Sequence, residues 1–338
     1  MTTTPNSPAW GIYQGSGEPH DGIRRLPPPP PWRDHGTTGY PDERTWRRGA
    51  VYQATPEIVD TVNAALYLRR PLLVTGPPGS GKSSLAYHVA HELGLGQVLN
   101  WPITSRSLLR DGLYTYDALG RLQDANLKME SLNRDAAFAS PYASDIGRYL
   151  QLGPLGTALL PNHVPRVLLI DEIDKSDPDL PNDLLNVFEE GEFVIPELAR
   201  LEHREARVQV YDATGDYVRV DHGRVRATSF PFTVLTSNGE RDFPPAFLRR
   251  CLRLELPEPG VDHLARIVQA HLGPEAVRKG AALIQDFVLR RPTEALSTDQ
   301  LLNAVFLLVG NEGEEQFETT DHGEQVLRTV LRPLDSGF

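Results

Sequence analysis

Pro71-Leu72-Leu73-Val74-Thr75-Gly76-Pro77-Pro78-Gly79-Ser80-Gly81-Lys82-Ser83 joins an apolar run to a helical pattern, Ser84-Leu85-Ala86-Tyr87-His88-Val89-Ala90. Leu72 to Thr75 reads as a strand of a parallel sheet, buried on both faces. Between strand and helix the spacing is Gly-x-x-x-x-Gly-Lys-Ser, in the context where that spacing holds phosphate. Gly76, Gly79 and Gly81 permit positive φ and leave space beside the backbone. Successive N–H groups then turn inward around a phosphate chain, at the positive end of the helix. The expected nucleotide contacts are Gly76, Pro77, Pro78, Gly79, Ser80, Gly81, Lys82, Ser83 and Ser84. Lys82 is expected on the β- and γ-phosphates and the Ser83 hydroxyl on Mg²⁺. A Gly-rich turn that matches by chance is the competing reading. The agreement of strand, loop and helix weighs against it.

A second apolar run, Arg166-Val167-Leu168-Leu169-Ile170-Asp171-Glu172-Ile173-Asp174, ends in adjacent carboxylates. In an open α/β sheet, ligands bind outside the carboxyl ends of the strands. Asp171 is therefore expected to hold Mg²⁺, directly or through water, and Glu172 to polarise a water for in-line attack on the γ-phosphate. Taken alone, the run fits a strand ending in a solvated acidic turn; beside the phosphate loop the catalytic reading is the better one. Phe232-Thr233-Val234-Leu235-Thr236-Ser237-Asn238 is another apolar strand with a polar end. It is expected to bring Asn238 to the same sheet edge as Asp171, to orient the attacking water; a simple turn before Gly239 is the alternative. Arg249 and Arg250 follow a short helical pattern and precede a short strand, Leu252 to Leu256. They read either as solvated cations at a helix end or as an arginine finger for a neighbour's γ-phosphate.

Composition bounds the rest. The chain has 338 residues, 40% of them hydrophobic and 23% charged, with a formal net charge of −11. That length accommodates two domains, and the acidic balance argues against a generally basic nucleic-acid binder. The one cysteine, Cys251, excludes an intrachain disulfide and a Cys-rich metal site. Met1-Thr2-Thr3-Thr4-Pro5 lacks the pattern of a signal peptide, and no apolar run approaches the ~20 residues of a membrane span. The expected location is the cytoplasm.

Residues 1–45 are rich in Pro, Gly, Thr and charge, with Pro27 to Pro31 unbroken. They are expected to be extended and partly disordered, or to form an arm whose Trp10, Tyr13, Trp32 and Tyr40 dock on this chain or a neighbour. Residues 46–257 are expected to form an α/β core. Its first helix begins after Thr55, as N-cap, with Pro56 at the first turn. Gln97 to Asn100 is a strand candidate, and residues 101–147 read as an insert with its own hairpin or helix. Arg106, Arg110, Arg121 and Arg134 beside Trp101, Tyr114 and Tyr116 allow nucleic-acid or peptide binding there; interspersed carboxylates favour a packing role. Alternation from Arg204 to Val225, about a Gly215-Asp216 turn, predicts a second hairpin. Pro257-Glu258-Pro259-Gly260 marks a boundary. Beyond it, residues 258–338 carry helical patterns over Val261–Leu272, Pro274–Arg290, Ser297–Val309 and Glu324–Leu331. The acidic run from Asn311 to Glu315 reads as an exposed loop. His88 and His91, without a third ligand, suggest no metal site.

Phosphate loop, Asp-Glu strand, strand-end Asn, Arg pair and helical tail follow one another in an order that resembles an AAA+ ATPase, most nearly of the MoxR-type group. The resemblance covers about residues 50–310. Gly76 to Ser83 matches its Walker A motif, Leu169-Ile170-Asp171-Glu172 its Walker B, and Asn238 its sensor 1. Gly153-Pro154-Leu155 and Leu184 to Gly191 resemble flanking motifs. Arg250, with Arg249 as runner-up, falls at the finger that acts in trans. Residues 101–147 resemble the helix-2 insert, and 204–225 the hairpin before sensor 1. Asn100 is a candidate for the polar residue that restrains Glu172. The sensor-2 cation has no clear match near Ala295-Leu296-Ser297. The resemblance implies a P-loop three-layer αβα parallel sheet followed by a small helical lid. It further implies ATP with Mg²⁺, a hexameric homo-oligomer, a protein client remodelled in chaperone fashion, and a partner bearing a von Willebrand A domain. A nucleotide-dependent assembly switch and a nucleic-acid-acting motor remain as alternatives.

Overall fold

The computed structural model describes residues 52–132, 146–200, 205–212, 215–291, 293–294, 296–310 and 321–333, together with 21, 24, 26, 28–30 and 49. The leader aromatics Trp10, Tyr13, Trp32 and Tyr40, and likewise Arg134, Ala295 and the run from Asn311 to Glu315, lie outside the described residues. The described residues fall into two compact units, one within Tyr40–Glu258 and one that includes Pro259–Phe338.

The first element of the first unit whose bounds are described is α1, Pro56–Leu68. Thr55 caps it by accepting the Ile58 N–H on its hydroxyl, so one orphan donor of the first turn is satisfied. Arg69 ends it in the left-handed region. β1 (Leu72–Thr75) leads through the glycine loop into α2 (Lys82–Glu92). The other strands of the main sheet are β2 (Leu99–Pro102), β5 (Val167–Asp171), β10 (Phe232–Ser237) and β11 (Leu252–Glu255). Their order is β11-β1-β10-β5-β2, and all neighbours run parallel.

Alternation along these strands explains the layers. Leu72 and Val74 of β1, Val167 and Leu169 of β5, and Val234 of β10 face one core together with Ile58 and Val62 of α1 and Leu85 and Val89 of α2. Leu73, Leu168, Ile170 and Leu235 face the other. That second core is closed by α5 (Pro154–Ala158), α6 (Leu180–Glu190) and α8 (Pro245–Leu248), and by a second sheet. A parallel sheet covered on both faces is the three-layer α/β architecture the apolar runs predict.

The second sheet is where the expectation falls short. The region of 101–147 contains α3 (Leu109–Leu113), β3 (Tyr114–Tyr116) and α4 (Ala118–Leu132), and after it come β4 (Leu150–Leu152) and α5. β6 (Glu192–Val194) is followed by α7 (Pro196–Ala199), and the expected hairpin is β7 (Glu205–Gln209) and β8 (Tyr217–Asp221), with β9 (Arg224–Arg226) added. These short strands join in one six-stranded sheet of order β3-β4-β7-β8-β9-β6. The insert and the hairpin are thus one layer, whereas the sequence suggested two separate excursions. Close approach allows this. A Cβ on Gly156 of α5 would stand 1.9 Å from the Leu113 carbonyl oxygen. The β2 strand also begins two residues later than predicted, at Leu99.

The second unit contains α9 (Val261–Leu272), α10 (Pro274–Lys279), α11 (Ala281–Arg290), α12 (Thr298–Gly310) and α13 (Asp321–Val330), with no strand among its described residues. Leu264, Phe287, Leu301 and Val305 centre its core. The single helix predicted over Pro274–Arg290 is two, divided at Gly280. Gly280 sits at φ −85°, ψ 4°, outside helical geometry, and glycine is the residue that most readily leaves a helix.

Candidate nucleotide site

The site lies at the carboxyl edge of the main sheet. Gly76, Gly79 and Gly81 have φ of 147°, 73° and 88°, all in the region that side chains avoid. Gly76 has a second reason to be glycine: a Cβ there would stand 2.5 Å from the Leu256 carbonyl oxygen. Gly81 is the N-cap of α2 and offers no side-chain oxygen. The first N–H groups of that helix are therefore left for an outside acceptor. Ser80 Oγ is buried without a partner, a further polar group suited to a phosphate oxygen. Lys82, 7% exposed, donates from Nζ to the carbonyls of Gly76 and Pro77 at 2.8 and 2.9 Å. Burial pulls its pKa below the ordinary lysine value, while the charges of Asp174, Asp171 and Glu172 pull it back up. Tyr52 packs against Gly81, and its ring centroid is 5.2 Å from that of His88. His88 Nδ1 donates to the Gly49 carbonyl at 3.0 Å.

Across the loop, β10 lies between β1 and β5. Asp171 Oδ1 accepts from Ser83 Oγ and from Thr236 Oγ1, each at 2.6 Å. Thr236 Oγ1 in turn accepts the Glu172 N–H at 2.8 Å. Thr236 is 1% exposed, so this hydroxyl fixes the ends of β5 and β10 to each other. Sequence reasoning passed over it. Its signal was a hydroxyl two residues before the strand-end Asn, one of three in the strand with Thr233 and Ser237.

Glu172 has φ 60°, ψ 50°, a strained conformation for a residue with a Cβ. Its carboxylate meets the Lys175 ammonium at 2.7 Å, and that bond raises the Lys175 pKa. Asn100, expected to restrain Glu172, makes no such bond: its Oδ1 is buried without a partner. Asn238 directly follows β10, and its N–H donates to Asp174 Oδ2 at 2.9 Å.

Neither Arg249 nor Arg250 is hydrogen-bonded to the phosphate loop, and of the two only the Arg250 side chain has a bonded partner among the described residues. Arg250 pairs with Glu189 of α6 and donates to the Ala246 carbonyl at 3.1 Å. The pairing lowers the Glu189 pKa. Arg249 is exposed, and its carbonyl accepts from Arg70 Nη2 at 2.9 Å.

The donor set fits a nucleoside polyphosphate with a hard divalent cation. Backbone amides, a buried ammonium and a free hydroxyl suit phosphate oxygens. A serine hydroxyl beside a carboxylate suits Mg²⁺, which prefers oxygen ligands and few protein groups.

A parallel sheet with a glycine loop after β1 and an Asp-Glu edge on β5 defines a P-loop nucleotide-binding protein of the α/β class. A family model for the AAA domain of the dynein-related subfamily matches residues 71–251, more than half of the chain. The chain belongs to that family. No curated protein matches it. Among solved structures it is similar to NtrX from Brucella abortus in complex with ADP, at 14% identity and a TM-score of 0.36. The match covers 80% of this chain and 55% of that one, so the chain spans about half the length of that protein. Among the described residues, no helix is long and apolar enough to cross a membrane.

Proposed function

We propose that this chain is a MoxR-like ATPase that hydrolyses ATP in a hexameric ring to remodel a protein client in the cytoplasm. The observation that carries the reading is the single oxygen of Asp171 that gathers Ser83 of the phosphate loop and Thr236 of β10. It joins the phosphate-binding and water-activating halves of the site within one hydrogen-bonded group.

In this reading the loop amides and Lys82 hold the β- and γ-phosphates, with Nζ exchanging carbonyl partners for phosphate oxygens. Ser83 and Asp171 would hold Mg²⁺, which would supply positive charge against the phosphates when bound. Glu172 takes the proton of the attacking water, and Asn238 orients that water. Arg250 serves the γ-phosphate of a neighbouring subunit. In its own chain it pairs with the exposed Glu189, a partner it would exchange for phosphate, and Arg249 is the alternative finger. The protein client and a von Willebrand A domain partner follow from the resemblance to MoxR-type ATPases.

The test is the mass of the Glu172→Gln protein with and without ATP–Mg²⁺, beside phosphate release by the wild type. A shift to about six subunits on adding nucleotide, as a closed ring requires, supports the reading. A monomer that binds ATP sinks the shared site, and a wild type that releases no phosphate sinks the ATPase.

A further inference from the structure

Asp174 is a buried carboxylate, 3% exposed, with no part in the hydrolysis outlined above. It lies on the short 3-10 segment Ile173–Lys175, just past Glu172. Its Oδ2 accepts two backbone N–H groups of the loop after β10, from Asn238 at 2.9 Å and from Glu240 at 3.2 Å. Its Oδ1 is buried without a partner.

Burying a half-satisfied carboxylate costs free energy that packing alone would not demand. What the carboxylate provides is a charged acceptor, and hydrogen bonds to a charged acceptor are shorter and stronger than neutral ones. Two amides on one oxygen fix both the height and the rotation of the loop. Gly239, between them, has φ 78° and lets the chain turn around that oxygen. The loop's other ties are the Gly239 N–H to Ser237 Oγ at 3.0 Å and, on its far side, Arg241 Nη1 to the Ser176 carbonyl at 2.7 Å, so only Asp174 holds the backbone amides of Asn238 and Glu240. Cavities of about 270 and 660 Å³ flank Asp174 and Arg241, so a loop released from the carboxylate has room to move. Thr236 already joins the two strand ends at the level of Asp171. Asp174 joins them again one turn further out, where Asn238 begins.

We propose that Asp174 is a positioning residue for hydrolysis: by clamping the backbone of Asn238 and Glu240, it sets the Asn238 side chain relative to Glu172. The proposal rests on the ATPase reading above. A misplacement of about 1 Å in a positioned group can cost as much as ~100-fold in rate, so a sizeable fall in turnover is expected when the clamp is cut.

The experiment compares Asp174→Ala, Asp174→Asn, Asn238→Ala and the double variant Asp174→Ala/Asn238→Ala in the full chain. ATP affinity, turnover, thermal stability and amide hydrogen exchange across residues 237–241 are measured for each. Asp174→Ala is expected to lower kcat ~10-fold or more at unchanged ATP affinity, and to speed exchange at Asn238 and Glu240. Asp174→Asn keeps an oxygen for both amides and is expected to recover protection and part of the turnover. In the Asn238→Ala background, Asp174→Ala is expected to add little further loss, because it acts through that residue. Full additivity of the two losses overturns the proposal. So does wild-type turnover in Asp174→Ala, or a loss in which ATP affinity and thermal stability fall together with kcat. Exchange is read without turnover: slow exchange in Asp174→Ala defeats the clamp even in an active enzyme. A wild type that hydrolyses nothing defeats the ATPase reading instead.

Discussion

Ser83 and Asp171 are joined by a hydrogen bond of 2.6 Å between the phosphate-loop helix and the end of β5. The two oxygen donors thus stand side by side, as a pair that would hold Mg²⁺ must. Ser83→Ala is expected to weaken ATP binding in the presence of Mg²⁺ by roughly tenfold, about 1.4 kcal/mol. Affinity measured in a chelator should barely change. Equal weakening in both conditions would show that Ser83 acts on the phosphates alone.

Glu172→Gln removes the carboxylate but keeps the size of the side chain. Turnover is expected to fall by about 10²–10⁴-fold, the usual contribution of a general base, while ATP binding persists. Phosphate release at the wild-type rate would remove Glu172 from the reaction.

Arg250 lends itself to a complementation experiment. Arg250→Ala and Glu172→Gln are each expected to be inactive as homogeneous assemblies. In the proposed ring, mixing them creates interfaces in which an intact Glu172 faces an intact Arg250, and turnover is expected to return. A mixture as silent as its components would place the essential arginine elsewhere, with Arg249 next to be tested.

Cys251 is 7% exposed, and burial pushes its thiol pKa up to about 12. The folded state disfavours the thiolate, so at pH 8 only about 10⁻⁴ of the thiol is in the reactive form. Iodoacetamide should leave the folded chain unmodified and label it fully in denaturant. Rapid labelling of the native protein would contradict the burial of this segment.

Gly156→Ala forces a methyl group onto the Leu113 carbonyl, where α5 packs beside α3. Overpacking of this kind typically costs about 1–3 kcal/mol, and a denaturant midpoint would show it. A neutral substitution would mean that α5 can withdraw without loss.

How much of this was legible in the chain depends on distance along it. β1, the glycine loop and α2 are contiguous, and their spacing alone predicts their form. The four-residue apolar run Val167 to Ile170, ended by Asp171, announced a doubly buried strand, and β5 is one. The second sheet was not legible, because strands of three to five residues such as β3, β4 and β9 carry too few alternations to name a partner. Their pairing rests on contacts such as Tyr114 with Leu152 and Gln151 with Gln209, which no local pattern encodes. The same holds for Thr236 and Asp174. Each reads as an ordinary polar residue until the parallel register sets β10 beside β5. The division of the predicted 274–290 helix was more accessible, since Gly280 stood in the middle of the pattern.

Glu172 sits at φ 60°, where asparagine or glycine is at ease and glutamate is not. Residues held in such regions cost of order 1–3 kcal/mol. Selection for durability alone would relax this position, and Glu172→Asn or Glu172→Gly is expected to yield a sturdier core that, in the function proposed above, lacks the base for water. The carboxylate is thus retained against the preference of its own backbone, a trade of robustness for reactivity written into one dihedral angle.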